Sequence, residues 1–112
     1  MKQFWAAITI ALIASSAHAE KAEKDYEMVS CTGMAIAAKW YMYFRQSGDS
    51  LLETIEGNSL NKSDLDEVEE RYLSILIEAW EQPRLESREH QEQAVVDFEN
   101  SIMLRCLKGE FH

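Results

Sequence analysis

Apolar residues recur at steps of three and four along most of this chain, and no stretch sustains the two-residue alternation of a half-buried strand. Four helices are predicted. In the first, Cys31, Met34, Ala38, Tyr41 and Arg45 form one stripe, with Ala35 and Met42 beside it and Val29, Ile36, Ala37, Trp40, Tyr43 and Phe44 on the other sides. It begins around Tyr26 to Ser30 and stops at Ser47-Gly48-Asp49, where Gly48 can take the left-handed conformation that ends a helix. Ser50 and Glu53 match a capping box for a short second helix, anchored by Leu51, Leu52 and Ile55 and broken by Gly57-Asn58-Ser59.

A third helix is expected to start at Ser63, with acids in its first turn, and to carry Leu65, Val68, Tyr72, Ile75 and Ala79 on one face. Leu73, Leu76, Ile77 and Trp80 fill its other sides, so its second half reads as deeply packed. Pro83 ends it by biasing Gln82 away from helix. The fourth helix runs from Ser87 to Lys108 with Gly109 as terminator, and Val95, Phe98, Ile102 and Cys106 share a face flanked by Ala94 and Met103. The fold class is all-α: a small antiparallel bundle of three long helices and one short one.

The N-terminus changes the compartment. Met1-Lys2 is a short positive region, Phe4 to Ala14 is apolar, and Ala17-His18-Ala19 has the small-x-small form of a cleavage site. Eleven residues span roughly 16 Å as a helix, against a hydrocarbon core of about 30 Å. Residues 1–19 therefore read as a cleaved signal peptide, not an anchor, and no cysteine follows to take a lipid. The predicted mature chain, 20–112, is one helical domain with a disordered leader at 20–25 and no stable membrane insertion. Localisation is read as periplasmic.

Export sets the reading of the two cysteines. Cys31 and Cys106 both lie in the exported part, which predicts one intramolecular disulfide. With Cys31 early in the first helix and Cys106 late in the last, the bridge requires those helices to run antiparallel. Neither cysteine belongs to a CxxC pair, so the bridge reads as structural.

Charge narrows the partners. The chain carries −9, and −10 once the signal and its single lysine are removed. Such a surface repels phosphate and argues against nucleic acid. It suits another periplasmic or envelope protein of basic character.

Candidate chemistry is sparse. Glu86 and His90 stand four apart, as two metal ligands would on a helix, but no second cluster completes a site. The run Asp64, Asp66, Glu67, Glu69, Glu70 reads as a solvated face and helix N-terminus, not as a catalytic carboxylate pair. There is no phosphate-cradling glycine loop and no activated nucleophile. No cofactor or metal is expected, and the protein is read as non-enzymatic. Trp40 and Tyr43 have two readings: core for a helix surrounded on several sides, or exposed anchors for a partner. Arg45 and Arg84 flank helix ends that a bundle brings together. They are read as capping and surface pairing, or as further partner-binding residues.

The exported N-terminus, Cys31, Arg45-Gln46-x-Gly48-x-Ser50, Ala79-Trp80-x-x-Pro83-Arg84, Phe98 and Cys106 together resemble a set of small exported proteins of Gram-negative bacteria, their prophages and phages. The position of Trp80 is more often tyrosine in that set, and the first helix here is more aromatic. The resemblance implies a helical periplasmic protein with one disulfide and carries over no functional residue. The expected function is a protein-binding module, in its specific form a phage-related inhibitor of a lysozyme, a lysis component or phage entry. The alternative is a small-ligand or stress-sensing bundle with a cavity lined by Met34, Met42, Leu76 and Phe98.

Overall fold

Helix boundaries in the computed structural model, which describes residues 30–111, follow from local hydrogen-bonding chemistry. Helix α1 covers residues 30–46, α2 Leu51–Gly57, α3 Glu67–Glu81 and α4 Arg88–Leu107. There is no strand among the described residues. The expected signal peptide, the expected 20–25 leader and all but Ser30 of the expected start of the first helix lie outside them.

Three helices end in the same way. Gly48 and Gly109 adopt φ of +85° and +79° after α1 and α4. In each case the left-handed residue and its successor return N–H groups to the last turn: Gly48 to Arg45 O and Asp49 to Phe44 O, Gly109 to Cys106 O and Glu110 to Arg105 O. After α2 the left-handed residue is Ser59 (φ 56°), not Gly57, with Ser59 N bonded to Glu56 O and Leu60 N to Ile55 O. A side chain there costs roughly 1–2 kcal/mol. Leu60, the next residue, is buried in the core, and that burial offsets the strain.

The start of α3 departs from the expectation. Its N-cap is Asp66, not Ser63: Asp66 accepts from Glu69 N at 2.8 Å while Glu69 accepts from Asp66 N at 3.2 Å. This reciprocal box satisfies two orphan groups, and Ser63 has no Glu or Gln three residues on with which to make one. At α2, Ser50 accepts from Glu53 N at 3.3 Å, one half of the expected box; the Glu53 carboxylate does not return the bond.

Topology is up, down, up, down. The Cys31–Cys106 disulfide ties the start of α1 to the end of α4, with Cα atoms 5.5 Å apart. At the other end, Gln46 bonds Leu85 just before α4 begins. These two helices are therefore antiparallel. Gly33 lies against the Tyr72 hydroxyl, and Arg45 bonds Gln82 O, so α3 runs with α1. The short α2 and the loop after it carry the chain back between them.

The core is the set the periods point to. Cys31, Met34, Ala35, Ala38, Tyr41 and Met42 of α1 are buried against Ile75, Leu76 and Ala79 of α3 and Phe98, Ile102 and Cys106 of α4. Met34 Sδ packs 3.7 Å from Cys106 Sγ, a contact between two sulfurs that carry no proton. Three expected core residues are exposed instead: Leu52, Val68 and Ile77. Ile77 borders an open groove that Arg105 of α4 also lines. Val68 stands in the first turn of α3 and is likewise left uncovered.

Candidate functional site: the outer face of the first helix

Opposite its buried stripe, α1 presents Ile36, Trp40 and Tyr43, spaced four and three along one line. They are 49%, 49% and 51% exposed. Trp40 and Tyr43 are thus not core residues, contrary to the first of the two readings open for them. The core closes through the other side of α1 without them.

The rings are ordered against one another. Trp40 and Tyr43 meet edge-to-face at 5.8 Å between centroids, Tyr43 and Phe44 likewise at 5.8 Å, and Trp40 and Phe44 at 6.2 Å with planes tilted 32°. Such contacts each contribute about 0.5–1.5 kcal/mol beyond area burial, which favours this mutual arrangement of the rings. Phe44, half-buried, joins it to the fold.

Two grooves border the cluster. On the α4 side, one of about 440 Å³ is lined by Tyr43, Ser47, Glu86, Arg88, Glu92 and Val95 among others, and Arg88 is ion-paired to Glu92 at 3.3 Å. On the α2 side, one of about 420 Å³ is lined by Phe44, Asp49, Glu53, Thr54, Gly57 and Asn58. Residues 30–46 contain no carboxylate, and Lys39 and Arg45 are their charges. The aromatic cluster is thus a carboxylate-free strip within an acidic protein.

Arg45 and Arg84 are brought together, but at a corner and not on this face. Arg45 Nε donates to Gln82 O at 3.0 Å, and Arg84 Nε donates to Gln46 O at 2.9 Å. Between them Gln46, 3% exposed, donates from Nε2 to Pro83 O at 2.9 Å and accepts at Oε1 from Leu85 N at 2.8 Å. Gln91 closes the corner by donating to Leu85 O at 2.6 Å. Gly48 is required here by its left-handed φ, and a Cβ would also crowd the Arg84 guanidinium at 3.2 Å. Both arginines therefore serve the joint between α1 and the α3–α4 connection.

Gln46 is the functional-looking residue that the periodicity reading passes over. It stands four residues after Met42 and eleven after Ala35, on the buried side of α1. A polar side chain in that phase must find partners, and that was the available signal.

The remaining candidates are structural in their contacts. Glu86 precedes the N-cap Ser87, so it is not on the same helical face as His90, whose N–H bonds Ser87 Oγ at 3.1 Å. No group of three or more His, Cys, Asp or Glu able to hold a metal is found among the described residues. In the acidic run, Asp66 and Glu69 cap α3, Glu67 pairs with Arg71 at 3.0 Å, and Glu69 pairs with Lys62 at 2.8 Å. That hydrogen bond from Lys62 to Glu69 raises the lysine above its ordinary pKa. Tyr41 is also raised, by burial first and then by Tyr72 beside it. No described helix is long and apolar enough to cross a membrane. No protein-family model, curated protein or solved structure matches the chain.

Proposed function

We propose that this is an exported, non-enzymatic protein-binding module of the periplasm, and that it docks through the Ile36–Trp40–Tyr43 face of α1. The observation that carries the reading is that three large apolar side chains stand half-exposed in line while the core is complete without them. Singly exposed apolar residues are ordinary; a contiguous set with aromatic rings ordered against each other is the form of an interaction site. Trp and Tyr are also the residues that most often dominate binding energy at interfaces. The periplasmic assignment draws on the signal-like N-terminus and on a disulfide, which persists in an oxidising compartment. In its specific form the module is phage-related and blocks a lysozyme, a lysis component or phage entry.

The test is covalent cross-linking of the full chain in the periplasm, followed by mass spectrometry, with Trp40→Ala and Tyr43→Ala in parallel. Both variants should melt as the parent does and lose the cross-linked partner. The same partner recovered in equal yield from both variants would refute the docking face.

A second reading, a small-ligand bundle, draws on one observation. Met42 and Phe98 border an open groove of about 290 Å³ that also carries Gln46, Glu78, Asp97 and Ser101. Met34 and Leu76, the other two residues expected to line a ligand cavity, are sealed in the core. Saturable stabilisation by a small molecule, indifferent to Trp40→Ala, would favour that reading.

A further inference from the structure

We infer that the partner presents a basic side chain, and that its cation seats on the Trp40–Phe44 rings beside the Asp49 and Glu53 carboxylates. This rests on the docking reading above and names the chemistry that the face recognises.

The two sides of the aromatic cluster differ in charge. On the α4 side, the lining acids Glu86 and Glu92 stand with Arg88, which is ion-paired to Glu92 at 3.3 Å. One of the two carboxylates there is already neutralised. On the α2 side, Asp49 and Glu53 line the groove with Phe44, and no Lys or Arg lines it. Neither carboxylate makes a side-chain hydrogen bond or ion pair among the described residues.

An exposed indole and a phenyl ring tilted 32° from it offer π faces to a cation. A guanidinium or ammonium brought there meets unopposed negative charge at the same time. Its aliphatic stem covers the rings, as such side chains do on apolar surfaces.

Other occupants fit less well. A second copy brings another −9 and the same acidic rims. An anionic lipid surface is repelled by that charge as well. A basic protein is drawn in by the whole field and finds its anchor at the ring cluster.

The experiment follows the Trp40 indole N–H resonance of the full chain, with Trp80 as internal reference, during titration with an oligo-arginine peptide at low salt. An oligo-glutamate peptide is the control. The Trp40 signal should shift saturably with oligo-arginine alone, while half-buried Trp80 stays put. Asp49→Asn with Glu53→Gln should weaken the effect by about two- to fivefold, the scale of one exposed charge contact. Asp64→Asn with Glu70→Gln removes equal charge elsewhere and should leave binding almost unchanged. Equal losses in both double variants would overturn the inference, because diffuse attraction would then explain the binding. So would a Trp40 shift produced by self-association or only by phosphatidylglycerol vesicles. A partner captured through Trp40 but indifferent to salt and to the Asp49/Glu53 pair would end this inference and leave the docking reading standing. Capture indifferent to Trp40→Ala would end both.

Discussion

Replacing Gln46 tests whether the corner at the end of α1 is what fixes the chain between α3 and α4. Gln46→Ala removes the donor to Pro83 O and the acceptor from Leu85 N in one step. Each lost bond costs at least its net worth of about 1 kcal/mol, and about 1–3 kcal/mol where the orphaned group stays out of water. The corner is part-buried, so water reaches some of it, and the expected loss is about 2–4 kcal/mol. For a small domain with a urea slope of about 1 kcal/mol/M, the midpoint should fall by roughly 2 M or more. Gln46→Met keeps most of the volume and should lose nearly as much, which separates hydrogen bonding from packing. Gln46→Glu retains an acceptor for Leu85 N but sets a carboxylate against Pro83 O. It should therefore also unfold at a lower urea concentration than the parent at neutral pH. Urea unfolding of all three variants decides the matter. Gln46→Ala and Gln46→Met within about 0.5 kcal/mol of the parent would show that the corner contributes nothing to stability.

Two further outcomes follow from the core. The Cys31–Cys106 bridge spans 75 residues of sequence, for which chain entropy gives about 4.5 kcal/mol as an upper figure, so Cys31→Ser with Cys106→Ser should lower the non-reducing urea midpoint severely; a midpoint equal to the parent's would mean the bridge is energetically idle. The raised pKa of Tyr41 favours its neutral form in the fold, so its stabilising contribution is complete below the unfolded value of about 10 and is lost as pH climbs through the folded one. Thermal melts should therefore fall off at strongly alkaline pH and less so in Tyr41→Phe; identical alkaline profiles for the two proteins would refute it.

What the sequence discloses and what it hides divide along a physical line. Helical phase is written into α1 and α4 by their own residues, so Cys31, Met34, Ala38, Tyr41, Phe98, Ile102 and Cys106 are legible as core. Phase does not say how far a neighbour extends. Val68 and Ile77 have apolar side chains in helical register yet remain uncovered, and Leu60 is buried from a loop that has no period at all. Ser63 and Asp66 are both cap-forming residue types, but only Asp66 has a Glu three residues on to return the bond, so α3 starts from Asp66 and not from Ser63. The corner was legible as a motif, Arg45-Gln46-x-Gly48 with Pro83-Arg84, but not as a set of side-chain bonds to backbone.

With Arg45 and Arg84 each bonded through Nε to a backbone carbonyl, they are joinery first, and the corner they build holds the end of α1 in place. Tyr43 and Phe44 precede this joint directly, and Ser47 beyond it bonds back to Tyr43 O at 2.8 Å. The aromatic cluster therefore stands on a helix end fixed from below by Gln46 and tied at its far end by the disulfide. A face held this way loses little conformational freedom when a partner arrives, and lost freedom is a main opposing term in association. Loosening the corner with Gln46→Ala should on this argument weaken partner capture through Trp40 even though Gln46 lies on the buried side of α1, and the same corner would then serve both stability and recognition.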